Sequence, residues 1–395
     1  MKKPDPEEKI PGPSIAIVTT IPATLYHLWA NQIPYFVAKG FRITLISSDG
    51  EWISALDVEK RYGIKPHTVE FTREYSILRD IIALWRLCLL LKRVRPDIVH
   101  YCTPKAAFLC SLAGVFTGIR KRIYSIFGTV YYGKKWPART ILEAVEWVTC
   151  RLSTVVLAVS DSNRDYIIEK KLCPAKKIRI LAKGSSQGVD AQKRFNPQNL
   201  DAGKLESIKK ELAIAPGAVV VGYVGRIAED KGIGELLAAW EKIQGDIPGG
   251  RLLLIGPLIE KRNRVSKPLL RELSSEPSIV LAPPADAIEY YYPLIDILVL
   301  PSHREGFPNV VLEAGAMEVP VITYDTPGCI DSVVDDVTGF IVPNKNVNVL
   351  AEKILRLVGD PILRKTFGRN ARIRALADFD PGKINRELLE IYYGG

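Results

Sequence analysis

Short apolar runs alternate along the chain with longer segments in which apolar residues recur at helical spacing. In the first half of the chain the runs lie at residues 14–19, 41–46, 67–71, 97–101, 122–126, 155–159 and 178–181. We interpret each run as a buried strand, because parallel strands covered on both faces are nearly continuous apolar stretches. The segments between them are predicted helices, including one over residues 27–39 that ends at Gly40.

The same alternation resumes in the second half, with runs at residues 219–224, 251–256, 279–281, 295–300 and 319–323. Between the two series, residues 196–217 are polar with little pattern beyond one helix, and we predict the interdomain linker there. Strands alternating with helices predict an α/β protein with two doubly wound parallel sheets, one in residues 1–195 and one in residues 218–381. Ligands of such sheets bind outside the carboxyl ends of the strands.

The loop that follows the run at 295–300 carries two acidic candidates. Glu305 and Gly306 lie in a predicted turn, and Pro308 is predicted in the first turn of a helix that carries Glu313. A helix N-terminus attracts anions, and Gly306 lets a phosphate approach the backbone. Glutamates at this spacing do not converge like the close carboxylate pair of a glycosidase, so they suit separate hydroxyl groups on one long ligand. A solvated loop acid and a surface helix acid remain the alternative.

Two cations lie close together in the chain at the start of the second domain. Arg226 follows Gly225 at the end of the run at 219–224, and Lys231 precedes a predicted helix. Cations at a strand end and a helix start can together clamp a diphosphate. Each alone would be an ordinary surface charge.

The net charge of +10 is unevenly distributed. Residues 1–200 hold 31 Lys and Arg against 17 Asp and Glu, whereas residues 201–395 hold 23 against 27. The basic half suggests an anionic partner, either nucleic acid or an anionic membrane leaflet.

Cysteine usage and hydropathy limit the class of protein. The six cysteines have no C-x-x-C spacing, which is typical of reduced thiols in a cytoplasmic protein. The start of the chain resembles neither a signal peptide nor an anchor, and no run is long and apolar enough to span a membrane. We expect no metal site, and we interpret Asp378-Phe379-Asp380 as a helix end rather than a metal-binding pair.

A long helix is predicted over residues 73–95. Arg79, Arg86 and Arg93 recur every seven residues, and an apolar stripe is formed by Leu78, Ile82, Trp85 and Leu89. An interfacial membrane helix has this pattern. A crossover helix that packs its apolar stripe on the sheet has it too, and we favour that interpretation because every crossover helix must pack.

Other candidates lie in loops of the first domain. One loop combines aromatic and basic residues: Tyr132, Lys134, Lys135 and Trp136. This mixture suits a lipid headgroup layer or single-stranded nucleic acid, and we favour the membrane because no nucleic-acid-binding motif accompanies it. Thr20 offers a hydroxyl to a phosphate or sugar unless it only closes a turn, and Lys105 contacts a phosphate unless it is simply solvated.

Glu305 and Glu313, with Gly306-Phe307-Pro308 between them, resemble the E-x7-E signature of retaining glycosyltransferase family 4, the group 1 glycosyltransferases. The similarity continues through Pro320-Val321-Ile322, Pro327-Gly328-Cys329 and residues 339–343. The resemblance implies the GT-B fold, in which two Rossmann-like domains face a cleft. It also implies that a final helix at 382–395 packs back on the first domain.

The resemblance further implies a nucleotide-sugar donor, most simply a UDP-sugar, as a substrate rather than a cofactor. Arg226 and Lys231 would hold the diphosphate, Glu305 would lie by the donor sugar, and Glu313 would bind the ribose hydroxyls. The implied donor-binding set is Gly225, Gly306, Phe307, Asn309, Val310 and Glu313. Transfer on one face of the sugar, with a diphosphate oxygen as base, is the implied route to retention.

Two positions depart from the family pattern. Cys102 stands where many relatives have a histidine, so no catalytic role is transferred to it. Ala282-Pro283-Pro284 replaces a glycine that usually lies near the nucleotide base, so the resemblance does not determine which nucleotide the donor carries.

The subgroup resembled builds bacterial surface polysaccharides on undecaprenyl diphosphate. We therefore expect a lipid-linked saccharide acceptor, with the enzyme peripheral on the cytoplasmic face of the membrane. Thr20, Lys105 and the aromatic–basic loop would lie on the acceptor side. The alternatives are a soluble acceptor and a nucleotide-sugar epimerase of the same fold. We do not expect nucleic-acid binding.

Overall fold

The computed structural model describes residues 12–29, 31–50, 57–72, 76–258, 266, 269, 273 and 275–394. The chain divides into two compact units. The first comprises Met1–Val159, Arg164–Leu181 and Asn385–Gly395. The second comprises Ser160–Asn163 and Ala182–Ile384.

A parallel sheet of seven strands forms the centre of the first unit. Its strands are β1 (Ser14–Val18), β2 (Arg42–Ser47), β3 (His67–Thr68), β4 (Ile98–Cys102), β5 (Lys121–Ile126), β6 (Val155–Ala158) and β7 (Ile178–Ile180), in the spatial order β3-β2-β1-β4-β5-β6-β7. Every residue of the central strand β4 is buried, as expected for a strand covered by helices on both faces.

The helices of the first unit connect these strands in chain order. In the described residues they are α1 (Pro22–Trp29), α2 (Gln32–Ala38), α3 (Val58–Tyr62), α4 (Ile77–Val94), α5 (Pro104–Phe116), α6 (Ala138–Leu152) and α7 (Asp161–Glu169), of which the first three residues, 161–163, belong to the second unit. The prediction of one helix over residues 27–39 was wrong in its start. Pro22, which was assigned to a loop, is the first residue of α1, a position that its missing N–H favours.

A second parallel sheet has the spatial order β10-β9-β8-β11-β12-β13. Its strands are β8 (Val220–Val224), β9 (Arg251–Ile255), β10 (Ile279–Ala282), β11 (Ile297–Leu300), β12 (Val321–Tyr324) and β13 (Gly339–Val342). The strand β13 was not predicted, although its residues were noted as part of the family similarity. The strands β8 and β11 are neighbours, with Ile297 paired to Val221, so the loops after both strands lie at one edge of this sheet.

The helices of the second unit are α8 (Ala202–Glu211), α9 (Ile233–Ile243), α10 (Asn309–Ala316), α11 (Cys329–Ser332), α12 (Val347–Gly359) and α13 (Pro361–Asp378). The helix α13 ends at Asp378, as predicted for the Asp378-Phe379-Asp380 segment. Helix α8 lies inside the stretch predicted as a linker. The long continuous part of the second unit begins before the predicted linker, at Ala182.

Hydrogen bonds explain why residues 182–195 group with the second unit. Ser185 donates its hydroxyl to Asn309 Oδ1 at 3.0 Å, and Val189 N–H donates to the Phe379 carbonyl at 2.9 Å. The guanidinium of Arg372 also donates to the carbonyls of Ala191 and Phe195, both at 3.3 Å. The sequence offers no composition change at this boundary.

The helix α4 presents its apolar stripe to solvent. Leu78, Trp85 and Leu89 are 76%, 62% and 50% exposed, whereas the face that packs on the core is formed by Ala83, Leu87 and Leu91. The favoured prediction, that the Leu78–Leu89 stripe packs on the sheet, was therefore wrong. Residues 73–75 of the predicted helix lie outside the described residues. No helix in the described part of the chain is long and apolar enough to cross a membrane.

The last helix, α14 (Pro381–Tyr393), carries its C-terminal part into the first unit. There the Tyr392 hydroxyl is hydrogen-bonded to Nδ1 of buried His100 at 2.7 Å, and Lys121 Nζ donates to the Tyr392 carbonyl at 3.0 Å. The Tyr392 ring also packs on Phe36, with 4.9 Å between ring centroids. Tyr392 thus anchors the chain end to this core.

We expect Tyr392→Phe to lower the free energy of unfolding by about 1–2 kcal/mol, because it leaves a buried ring nitrogen of His100 without its partner. Urea unfolding followed by fluorescence measures this change. The control is Tyr393→Phe, which removes the hydroxyl of a side chain that is 58% exposed. Equal stabilities of the two variants would contradict the assigned role of the Tyr392 hydroxyl.

Candidate active site

The turn that carries Glu305 rests directly on another stretch of backbone. Glu305 N–H donates to the Pro327 carbonyl at 3.2 Å. Gly328 has φ of +82°, and a Cβ there would lie 2.4 Å from the Gly306 carbonyl oxygen and 2.6 Å from that of Glu305. A glycine is therefore required at position 328, both for its backbone conformation and for the close approach.

Glu305 is paired with the lysine that the sequence placed in the same site. Lys231 Nζ lies 2.5 Å from Glu305 Oε1, and the two side chains are 15% and 17% exposed. Lys231 ends the single turn Glu229–Lys231 after β8, and Glu305 follows β11. Neighbouring strands thus bring together a cation and a carboxylate that are 74 positions apart in the chain.

Gly232 fixes the position of Lys231. It has φ of +72°, and a Cβ at this position would lie 1.9 Å from the Pro301 carbonyl oxygen. The backbone next to Lys231 is therefore in contact with the backbone that leads from β11 to Glu305. No L-residue with a side chain fits there without moving one of the two segments.

Arg226 and Arg304 lie on either side of one aspartate. The distances from Asp230 Oδ2 to their guanidinium nitrogens are 3.8 Å and 3.6 Å. Arg226 remains 48% exposed, so it is available to an incoming anion. Sequence analysis missed Asp230 and Arg304. The sequence spacing could have identified both residues, because Asp230 lies four residues after Arg226 and Arg304 lies next to Glu305.

Glu313 is a partly buried carboxylate. Tyr292 donates its hydroxyl to Glu313 Oε2 at 2.6 Å, and burial raises the pKa of Glu313 above its ordinary value. The interpretation of Glu313 as a surface helix acid was therefore wrong, as was that of Glu305 as a solvated loop acid. Tyr292 was also missed, because an aromatic residue in a Tyr-Tyr-Tyr run carries no distinct sequence signal.

The helix α10 begins one residue later than predicted. Pro308 precedes it in an extended conformation, with ψ of 107°, and Asn309 is its first residue. The Asn309 side chain is held by Ser185, and Phe307 is buried against Phe379 with 5.3 Å between ring centroids. The predicted donor residues Val310, Gly306 and Gly225 belong to the same unit.

The six residues predicted for the acceptor and membrane side all belong to the first unit. Thr20 is nearly buried, and its Oγ1 lies 2.7 Å from Thr103 Oγ1, where it ties the loop after β1 to that after β4. Lys105 is not simply solvated, because its Nζ lies 2.8 Å and 3.0 Å from the two Asp80 oxygens. Both side chains therefore have structural partners within the unit.

The aromatic–basic loop is only partly exposed. Trp136 is 82% exposed, and Lys134 and Lys135 are exposed beside it. Tyr132 instead packs edge-on against Tyr166, with 5.6 Å between ring centroids. The surface offered to a partner is thus Trp136 with the two lysines.

Cys102 is completely buried, and burial raises the pKa of its thiol to about 12. The thiol is neutral near pH 7 and is a poor nucleophile. In the described part of the chain, no group of three or more His, Cys, Asp or Glu side chains is arranged to hold a metal ion.

Comparison with known proteins identifies the family. Residues 205–374 match the model for glycosyl transferases group 1, and residues 28–185 match that for glycosyltransferase family 4. The chain is 34% identical over 365 residues to the capsular polysaccharide biosynthesis glycosyltransferase CapM of Staphylococcus aureus, covering 92% of this chain and 93% of CapM. The chain belongs to the group 1 glycosyltransferases.

One further relative and one solved structure extend the comparison of this glycosyltransferase. It is 25% identical to the N,N'-diacetylbacillosaminyl-diphospho-undecaprenol alpha-1,3-N-acetylgalactosaminyltransferase of Campylobacter jejuni, over 94% of this chain and 96% of that enzyme. It superposes on the crystal structure of Anabaena HepE in complex with UDP and glucose with a TM-score of 0.80 and 17% identity, covering 97% and 99% of the two chains. The predicted GT-B fold is confirmed.

We expect Gly232→Ala to destabilise the glycosyltransferase by about 2–5 kcal/mol and to weaken nucleotide binding, because the methyl group meets the Pro301 carbonyl and displaces Lys231. Gly217→Ala is the matched control. Gly217 has a similar φ of +79°, but a Cβ there meets nothing within 4 Å. Chemical unfolding and calorimetric titration with nucleotide measure both effects. Equal losses in the two variants would contradict the close contact at Pro301.

Proposed function

We propose that this glycosyltransferase moves a sugar from a UDP-sugar to a saccharide carried on undecaprenyl diphosphate, with retention of configuration, in bacterial surface-glycan synthesis. The observation that carries the proposal is the Lys231–Glu305 pair at 2.5 Å, in the same unit as half-exposed Arg226 and partly buried Glu313. The names of the Staphylococcus and Campylobacter relatives support the acceptor class. The UDP bound to HepE supports the nucleotide.

The cations suit the diphosphate of the donor. A leaving nucleoside diphosphate gains negative charge as its bond to the sugar breaks, and fixed cations stabilise that charge. Lys231 has three donors, so it can bind phosphate oxygen while it keeps its contact with Glu305. Arg226 adds a second cation, and Asp230 limits its range of positions.

The two glutamates suit different hydroxyl groups. Glu305 would orient hydroxyls of the donor sugar, since it follows the strand next to the one that supplies Lys231. Glu313 would accept hydrogen bonds from the ribose hydroxyls. Its bond from Tyr292 occupies one lone pair of Oε2 and leaves Oε1 for the ligand.

Retention would follow from transfer on one face of the sugar. The bond from C1 to the departing phosphate oxygen breaks, and the acceptor hydroxyl oxygen bonds to C1 from the same face. The proton of that hydroxyl passes to the departing phosphate oxygen, which serves as base. Lys231 and Arg226 would offset the charge that develops on the diphosphate before the proton arrives.

The exposed face of α4 would dock the enzyme on the membrane that holds the acceptor. Six apolar residues of this face are at least 49% exposed: Ile77, Leu78, Ile81, Ile82, Trp85 and Leu89. A soluble protein rarely leaves so many large apolar side chains on one helix without a partner. Arg79, Arg86 and Arg93 on the same helix suit an anionic leaflet, as expected for an interfacial helix.

The reaction is tested by nucleotide release from UDP-, GDP- and ADP-sugars, with and without an undecaprenyl-diphosphate-linked saccharide. We expect release only from UDP-sugars and only with the lipid, and a loss of about 100-fold or more in kcat for Glu305→Gln. Glu318→Gln is the control, because the Glu318 side chain is 46% exposed. Release without the lipid but with a soluble sugar would contradict the acceptor assignment. Interconversion of nucleotide-sugars without release would indicate an epimerase.

Membrane docking is tested by co-sedimentation with phosphatidylglycerol vesicles at low salt. We expect the double variant Ile82→Ser/Trp85→Ser to bind about 30- to 1,000-fold more weakly, since each apolar side chain contributes on the order of 1–2 kcal/mol and about 1.4 kcal/mol corresponds to tenfold. The control Ile362→Ser/Ile373→Ser changes residues of α13 that are 80% and 67% exposed. Wild-type protein that stays in the supernatant, or equal binding by both variants, would contradict the docking role of α4.

A further inference from the structure

Asn163 contacts the turn that carries Glu305. It is fully buried near the start of α7, and Ser160–Asn163 belongs to the second unit. Its Nδ2 donates to the Glu305 carbonyl at 3.1 Å, to the Gly306 carbonyl at 2.9 Å and to Ser160 Oγ at 2.7 Å. No feature of the sequence singled out this residue.

The same short segment also holds the backbone on which the turn rests. The Ser162 hydroxyl accepts from Gly328 N–H at 2.7 Å and is hydrogen-bonded to Asp331. Ser162 N–H donates to Asp331 Oδ1 at 3.1 Å. The segment Ser160–Asn163 therefore forms hydrogen bonds with both backbone stretches that meet here, residues 305–306 and residue 328.

The hydrogen bonds from Asn163 determine which way two peptide groups face. In a trans peptide the carbonyl and the N–H point in opposite directions. Because the carbonyls of Glu305 and Gly306 point at Asn163, the N–H groups of Gly306 and Phe307 point away from it. Among the residues that the structure describes, neither N–H has a hydrogen-bond partner. Adjacent N–H groups on one side of a turn form an anion-binding concavity.

A glycine turn does not keep this orientation unaided. Gly306 has access to more backbone conformations than any other residue type, so its two peptide planes can rotate. The Asn163 amide opposes that rotation, since turning either plane would remove a buried hydrogen bond. Gly328 also limits this movement, because its backbone lies close to the same two carbonyl oxygens.

We propose that Asn163 is a positioning residue that aims the N–H groups of Gly306 and Phe307 at the diphosphate of the bound donor. The inference rests on the proposed donor site and adds to it a residue that contacts no substrate atom. Asn163 acts through the backbone of the turn, and Lys231 and Arg226 act by charge.

The test compares a nucleoside diphosphate with its monophosphate by calorimetric titration. The nucleotides are UDP and UMP, with the guanosine and adenosine pairs in parallel. The variants are Asn163→Ala and the isosteric Asn163→Asp, whose carboxylate cannot donate to the two carbonyls. The control is Asn385→Ala, which alters another buried asparagine, in α14.

We expect the wild-type protein to bind the diphosphate more tightly than the monophosphate. Asn163→Ala and Asn163→Asp should weaken diphosphate binding about tenfold or more. A loss of this size is expected when N–H groups that donate to a charged group, here those of Gly306 and Phe307, are misplaced. The affinity of both variants for the monophosphate should stay within about twofold of the wild-type value, because this affinity shows whether the rest of the site is folded. Asn385→Ala should leave both affinities unchanged.

Diphosphate affinity unchanged in both Asn163 variants would overturn the inference. An equal loss for diphosphate and monophosphate would overturn it too, because that result indicates a general structural role. Wild-type preference for GDP or ADP would overturn only the UDP donor, and the Asn163 comparison would then be read on that pair. Wild-type protein with no preference for a diphosphate would overturn the proposed diphosphate site together with this inference.

Discussion

The ion pair between Lys231 and Glu305 is the contact on which the donor site depends. Opposite charges 2.5 Å apart, each largely withdrawn from water, stabilise each other only while both backbones hold their positions. Those backbones are the segments after β8 and β11, which are neighbours in the sheet. Gly232 and Gly328 permit the close backbone contacts next to Lys231 and Glu305, so the position of the pair depends on backbone packing as much as on charge.

Arg226 and Glu313, in the same unit as this pair, suit two different parts of the proposed donor. Arg226 is half-exposed and keeps its charge accessible, which suits a mobile and strongly hydrated diphosphate. Glu313 is partly buried against the hydroxyl of Tyr292, and it suits neutral hydroxyl groups that have left water. Burying a carboxylate requires hydrogen-bond donors, and the ribose would supply those that the protein leaves open. In the proposed donor complex, one end of the donor would thus be recognised by charge and the other by hydrogen bonds.

Much of the fold follows from the alternation of apolar runs and helices, because a parallel strand buried on both faces leaves little freedom in its composition. The expectation that Lys231 and Glu305 share one site came from the resemblance to the family, whereas the end of α13 also followed from a local pattern. The burial of Glu313 did not, since it depends on Tyr292, and neither did Asn163, whose hydrogen bonds reach residues 142 and 143 positions away. Contacts of that range leave no periodicity in a single sequence.

The error over α4 has a different physical origin. Its sequence contains two apolar faces, Ala83 with Leu87 and Leu91 on one and Leu78 with Trp85 on the other. Periodicity detects apolar faces but does not say which one packs, and the larger side chains were assigned to the core by default. The structure instead packs the smaller face and leaves the larger one exposed. An apolar face with arginines beside it is the pattern of an interfacial helix, and this pattern supports the proposed docking on an anionic membrane.

The anomeric configuration of the transferred sugar tests this account most directly. A UDP-sugar labelled with carbon-13 at C1 would be incubated with the lipid-linked saccharide, and the product examined by NMR. The account predicts one new glycosidic linkage, attached to the lipid-linked saccharide, with the same configuration at C1 as in the donor. A linkage of the opposite configuration, or label found only in free sugar, would contradict it.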